Sequence, residues 1–137
     1  MGRVLAIDYG DQRTGLALSD MTGLLTGEAV TVQEWDAARL ADRVVDFALS
    51  RGAETLVLGL PKNMDGSEGP RAEKARAFAE LLRQRCDLPL VFWDERRSSI
   101  EAHAILHAGG KKEKQHRKTV DAVAASLILE GYLGSIK

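Results

Sequence analysis

Residues 55–60 read TLVLGL, a short apolar run with no charge in it. A strand with one face in water would alternate apolar and polar residues. An unbroken run this short instead marks a strand covered on both faces. The chain must therefore supply layers above and below it, and its neighbours fit that demand. Over residues 36–51, Leu40, Val44 and Ala48, with Ala41, Val45 and Leu49 beside them, fall on one face of a helix that Gly52 terminates. Residues 71–86 repeat the spacing through Ala75, Phe78, Ala79 and Leu82, with Pro70 at the first turn. LPLVFW, residues 88–93, is a second buried strand. Strands alternating with helices pair in parallel through right-handed crossovers.

The first part of the chain has a different rhythm. Residues 4–7, 15–18 and 29–32 carry strand signals, and Gly10, Gly15, Gly23 and Gly27 punctuate the turns between them. Connections this short predict an antiparallel meander. Downstream, Ser98-Ser-Ile-Glu101 forms a capping box that opens a helix closed by Gly109-Gly110. A final helix is predicted from about residue 120 to 132. The order βββαβαβαα is that of a mixed α/β sheet, a meander of three strands plus parallel strands, with helices on both faces. All 137 residues fit one domain, 1–137. No apolar run approaches the roughly 20 residues of a membrane span, and the strand pattern begins too early for a signal peptide. The lone cysteine, Cys86, reads as helix packing and fits a reducing, cytoplasmic setting.

Most of the 20 acidic residues belong on helix surfaces. Three do not. Asp8 ends the first strand in VLAIDYG, Glu95 follows the last strand in FWDERRSS, and Asp121 stands in the first turn of the final helix as drawn above. In an open α/β sheet, ligand sites lie beyond the carboxyl ends of the strands, where Asp8 and Glu95 both fall. A helix packed across that edge would add Asp121. Three carboxylates in one pocket repel, and a hard divalent cation, Mg²⁺ or Mn²⁺, is the economical way to hold them together.

The blocks IDYGDQRTGLALSD, GLPKNMDGSEGP, DERRSSIEA and KTVDAVAASLILEGYL, in this order, closely resemble the YqgF family over essentially the whole chain. Its members are also called RuvX, and are named provisionally as Holliday junction resolvases or pre-16S rRNA nucleases. The resemblance implies an RNase H-like fold and metal-dependent hydrolysis of phosphodiester bonds, in 5′ pre-16S rRNA maturation or in junction resolution. It implies that Asp8, Glu95 and Asp121 are the catalytic, metal-binding set. Two acids of the related RuvC resolvases are missing. Ala124 stands one helical turn after Asp121, and the strand ending at Leu60 has no acid at its end.

Phosphate chemistry also gives the cations a purpose. Arg96 and Arg97 adjoin Glu95, Arg117 and Lys118 precede Asp121, and the family places a lysine where Lys118 stands. KKEKQHRK, residues 111–118, has five Lys or Arg against one Glu. Lys111, Lys112 and Lys114 would form an arm tracking a nucleic-acid backbone without reading sequence. Asn63 of the PKNMDG loop could donate to a phosphate. The competing role for an arginine of the pair is an ion pair with Asp94 or Glu101. The expected partner is pre-rRNA or branched or single-stranded DNA, bound by a monomer or homodimer with no membrane contact. The alternative is a non-catalytic nucleic-acid-binding factor in ribosome assembly or transcription, with a vestigial metal site. The net charge of −1 does not by itself announce nucleic-acid binding.

Overall fold

A computed structural model describes residues 2–23, 25–97 and 113–136, and for 97 and 113–120 the backbone alone. The elements are β1 (Arg3–Asp8), β2 (Arg13–Ser19), β3 (Thr26–Gln33), α1 (Ala37–Ser50), β4 (Ala53–Leu60), α2 (Pro70–Arg83), β5 (Leu90–Asp94), a single 3₁₀ turn (Glu95–Arg97) and α3 (Glu113–Ser135). The helix expected over 98–110, together with Lys111 and Lys112, lies outside the described residues.

The five strands form one sheet in the order β3-β2-β1-β4-β5. β1–β2 and β2–β3 are antiparallel, whereas β1–β4 and β4–β5 are parallel, as the change of rhythm along the chain predicts. Local chemistry sets the boundaries. Thr14 is fully buried and staples the first hairpin, its hydroxyl accepting from Gly10 N–H at 3.2 Å. Asp36 caps α1 by accepting from Arg39 N–H at 3.0 Å. Gly52 ends that helix at φ 72°, a left-handed conformation that side chains resist.

The strands are wrapped as their apolar runs require. Leu5, Ile7, Leu16, Leu18, Leu56, Leu58 and Leu60 point to one face and pack on α1 and α2. Val4, Ala6, Ala17, Val57 and Trp93 point to the other and meet Ala125, Ile128, Leu129 and Leu133 of α3. The first face carries mostly leucines, while the second is lined largely by small residues, so α3 lies close to the sheet. Trp93 fills the gap beside Gly131, where a Cβ would come within 2.7 Å of the indole.

One boundary differs from the expectation. α3 begins at Glu113, well before residue 120, so Lys114, Arg117 and Lys118 lie on its first turns and not in a loop arm. Glu, Lys, Gln and Arg are strong helix formers, and nothing from Glu113 to Val120 breaks a helix. The density of charge in KKEKQHRK masked that propensity. Asp121 consequently sits well inside the helix, away from its N-terminal turn. Among the described residues no helix is long and apolar enough to cross a membrane.

Leu58 is fully buried on the interior strand β4 beneath both crossover helices, whereas Val91 on the edge strand β5 is exposed. Leu58→Ala should cost about 2–5 kcal/mol in urea unfolding and Val91→Ala well under about 1 kcal/mol.

Candidate active site

Strand parity places Asp8 on the α3 face of the sheet, two residues beyond Ala6. Its neighbours on both flanking strands are glycines. Asp8 pairs directly with Gly15 of β2, and Gly59 of β4 follows Leu58, the partner of Ile7. The two gaps are filled from outside the sheet. A Cβ at Gly59 would lie 2.5 Å from Glu95 Oε1 and 2.8 Å from Ile128 Cδ1, so the Glu95 carboxyl rests over the bare backbone of β4. A Cβ at Gly15 would run into the carbonyl oxygen of Asp121, so α3 touches the sheet there, backbone against backbone. Glycine is the only residue that leaves room for both arrivals.

The consequence is electrostatic. The Asp8 carboxyl is raised well above the usual carboxylate range, first by burial, then by a hydrogen bond shared with the Glu95 carboxyl and by the charge of Glu95. Asp121 is pushed up to about 6, by burial and then by the charge of Asp8. The structure thus joins Asp8 to Glu95 and brings Asp121 within their electrostatic reach. Among the described residues, however, no three Asp, Glu, His or Cys side chains close around one point as a metal cage. Arg13 Nε lies 3.7 Å from Asp121 Oδ2 and supplies the counter-charge on that side.

The expected phosphate ligands meet different fates. Arg96 is engaged by protein: Nε and Nη2 donate to the Asp94 carboxylate, the latter at 2.6 Å, and Nη1 donates to Met64 O at 3.3 Å. This clamp holds Asp94 below the usual carboxylate range and ties the loop after β4 to the end of β5. Asn63 is likewise occupied within that loop, its Nδ2 donating to Ser67 Oγ at 2.9 Å. Arg97 lies in the 3₁₀ turn that follows β5.

Arg13 and Arg71 escaped the sequence reading. Arg13 is two residues before Gly15 on β2, so once Gly15 is placed opposite Asp8, parity alone puts Arg13 on the same face. Arg71, in the first turn of α2, tends to lower the Asp8 pKa, against the larger effect of burial. No sequence signal marks it, because α2 and β1 meet only in the folded sheet.

A five-stranded mixed sheet in the order β3-β2-β1-β4-β5 with helices on both faces is the RNase H-like fold, and solved structures share it. The RuvC resolvase of Thermus thermophilus in complex with a Holliday junction matches with a TM-score of 0.60 at 13% identity, covering 97% of this chain and 96% of that one. The fowlpox virus resolvase in its junction complex matches with a TM-score of 0.60 at 14% identity, covering 98% of each chain. Sequence similarity is closer to two bacterial proteins, each named provisionally as a pre-16S rRNA nuclease. One, from Halothermothrix orenii, is 41% identical over 96% of this chain and 94% of that protein. The other, from Acetivibrio thermocellus, is 40% identical over 97% of this chain and 96% of that protein. The sequence model of the RuvX family, described as Holliday junction resolvase, matches residues 2–135. The chain belongs to the RuvX family.

Because Asp121 is raised to about 6, the folded chain retains its proton over a range where the unfolded chain has released it. The native state then binds more protons, so metal-free stability falls as pH rises from about 4 to about 6. Asp121→Asn should therefore stabilise the metal-free chain at pH 7 by about 1–3 kcal/mol and lose that advantage near pH 4. Urea unfolding in EDTA at the two pH values decides it. A less stable variant at pH 7 would contradict the assignment.

Proposed function

We propose that this chain is a nuclease, a single domain that hydrolyses phosphodiester bonds of structured nucleic acid with Mg²⁺ or Mn²⁺ held by Asp8, Glu95 and Asp121. The observation that carries the reading is the contact of the Asp8 and Glu95 carboxyls at the carboxyl edge of the sheet. The family and its relatives' names support the reaction class.

The donor set suits a hard cation. All three groups are carboxyls, two of them raised by burial and mutual repulsion, an arrangement that a divalent charge relieves. A divalent ion there would polarise a water for attack on phosphorus and neutralise charge on the leaving oxygen. Asp8 is anchored by the ladder behind it, so its oxygens stay fixed while substrate comes and goes. Glu95 follows a short strand on a tight turn and reaches Asp8 over Gly59. Asp121 arrives on a rigid helix, with Arg13 holding its outer oxygen. Arg13 balances charge on Asp121 in the metal-free chain and would be freed toward a phosphate once a divalent cation takes over that balance.

For substrate, the relatives' names favour precursor rRNA, and the family description favours a four-way DNA junction. We place rRNA ahead, acting in the cytoplasm. Processing one strand needs one site, whereas paired incisions across a junction call for a two-fold dimer with two.

Cleavage of precursor 16S rRNA, a four-way DNA junction and single-stranded DNA should be compared in Mg²⁺ and Mn²⁺. Wild type should cut the rRNA fastest, Asp8→Asn should abolish turnover with the fold intact, and Glu95→Gln should weaken the activation by Mn²⁺ and raise the metal concentration it needs. Wild-type rates from purified Asp8→Asn would end the proposal.

A further inference from the structure

Beside the acids, on the α2 side of the sheet edge, lies a small cleft of about 70 Å³. Tyr9, Gly10 and Asp11 of the first hairpin line it, with Pro61 after β4 and Arg71 and Lys74 from the start of α2. It is continuous with the site along the chain, since Tyr9 directly follows Asp8. The Tyr9 ring is fixed by stacking on Phe78, with centroids 4.4 Å apart and planes 10° from parallel. One wall of the cleft is therefore rigid.

The cations in it are differently placed from the others of the chain. Among the arginines whose side chains are described, Arg71 is the one without a hydrogen bond or ion pair. Its guanidinium is exposed, yet its charge is felt at Asp8. Lys74 Nζ lies 3.3 Å from both carboxylate oxygens of Asp11, but both partners are more than half exposed, and such pairs exchange cheaply for a better anion. Asp11 leaves the cleft cationic on balance.

We infer that this cleft receives a backbone phosphate of the substrate strand next to the scissile one, with Arg71 as its forked donor and Lys74 as a second point charge. This deepens the nuclease reading and rests on it. Arg71 is a positioning residue: it fixes where the strand lies relative to Asp8 and carries no sequence preference. A planar guanidinium with unused donors suits a phosphate, and its neighbourhood to Asp8 offsets the repulsion a polyanion would meet there. The hairpin and the α2 start thus become part of the substrate path, although neither carries a catalytic acid beyond Asp8.

The test measures binding in the Asp8→Asn background with Mg²⁺, so that turnover does not intervene. The probes are a short fluorescein-labelled single-stranded RNA and its DNA counterpart, titrated at several salt concentrations. Arg71→Ala should weaken binding about fivefold or more and lower the slope of log affinity against log salt by roughly 0.7. Arg71→Lys should recover part of the affinity. Arg83→Ala removes the same charge from the far end of α2, about 18 Å away at 1.5 Å per residue, and should leave the slope unchanged. Lys74→Gln, with a smaller expected loss, decides the matter if Arg71→Ala does not fold. Unchanged binding and slope in Arg71→Ala, or equal losses in Arg71→Ala and Arg83→Ala, would overturn the inference alone. Failure of the Asp8→Asn parent to bind either probe would overturn the nuclease reading and this inference with it.

Discussion

The Asp8 and Glu95 carboxyls meet over the bare backbone of Gly59, and much of the local architecture answers the repulsion between them. Two ionised carboxylates cannot share a partly dehydrated corner, so Asp8 keeps its proton well above its ordinary range. Asp121 feels the same field from across Gly15 and is raised to about 6. Arg13 and Arg71 approach from opposite sides of the sheet, and each lowers the cost of one of these acids. Gathering these acids costs the chain stability near neutral pH, and the two arginines offset part of that cost.

The scaffold holds this corner with unequal layers. On one face, leucines and Phe78 build a thick core under α1 and α2, the larger of the two buried clusters. On the other, alanines and glycines let a single helix press close enough for the backbone of Asp121 to touch β2. A Leu-rich face there would hold α3 further off and withdraw Asp121 from Asp8. Stability and site geometry are thus assigned to opposite faces of one sheet.

The loop after β4 gains its shape from polar clamps. Asp65 accepts from both the N–H and the hydroxyl of Ser67, Asn63 donates to the same hydroxyl, and Arg96 reaches back from the 3₁₀ turn after β5 to Met64 O. Arg96 thereby braces the turn that carries Glu95. These contacts account for the PKNMDG block as structure beside the site. The RuvC-like fold meanwhile persists at 13–14% identity over nearly the full chain, since a sheet with one thick and one thin layer tolerates many side-chain choices.

The order of strands and helices along the chain was largely legible in the sequence because periodicity is local. The unbroken apolar run at 55–60 announced a strand covered on both faces, and the glycine-punctuated opening announced a meander. Asp8, Glu95 and Asp121 stood out for the same reason, as acids at element ends or among small residues. The run at 88–93, read as a buried strand, became instead the edge strand β5 with Val91 exposed, because nothing in a local run tells whether a further strand will pair beside it. The start of α3 was misplaced, because a cluster of charges reads as solvated loop although its residues favour helix. Arg96, legible as a cation beside Glu95, was assigned by folding to Asp94 and Met64. Arg13 and Arg71 acquired meaning only when β1 was flanked by β2 and β4 and overlain by α2. A sequence records which side chains a segment exposes on each face. Which charges face one another across elements 50 or more residues apart is set by how those faces pack, and only the tertiary structure decided it.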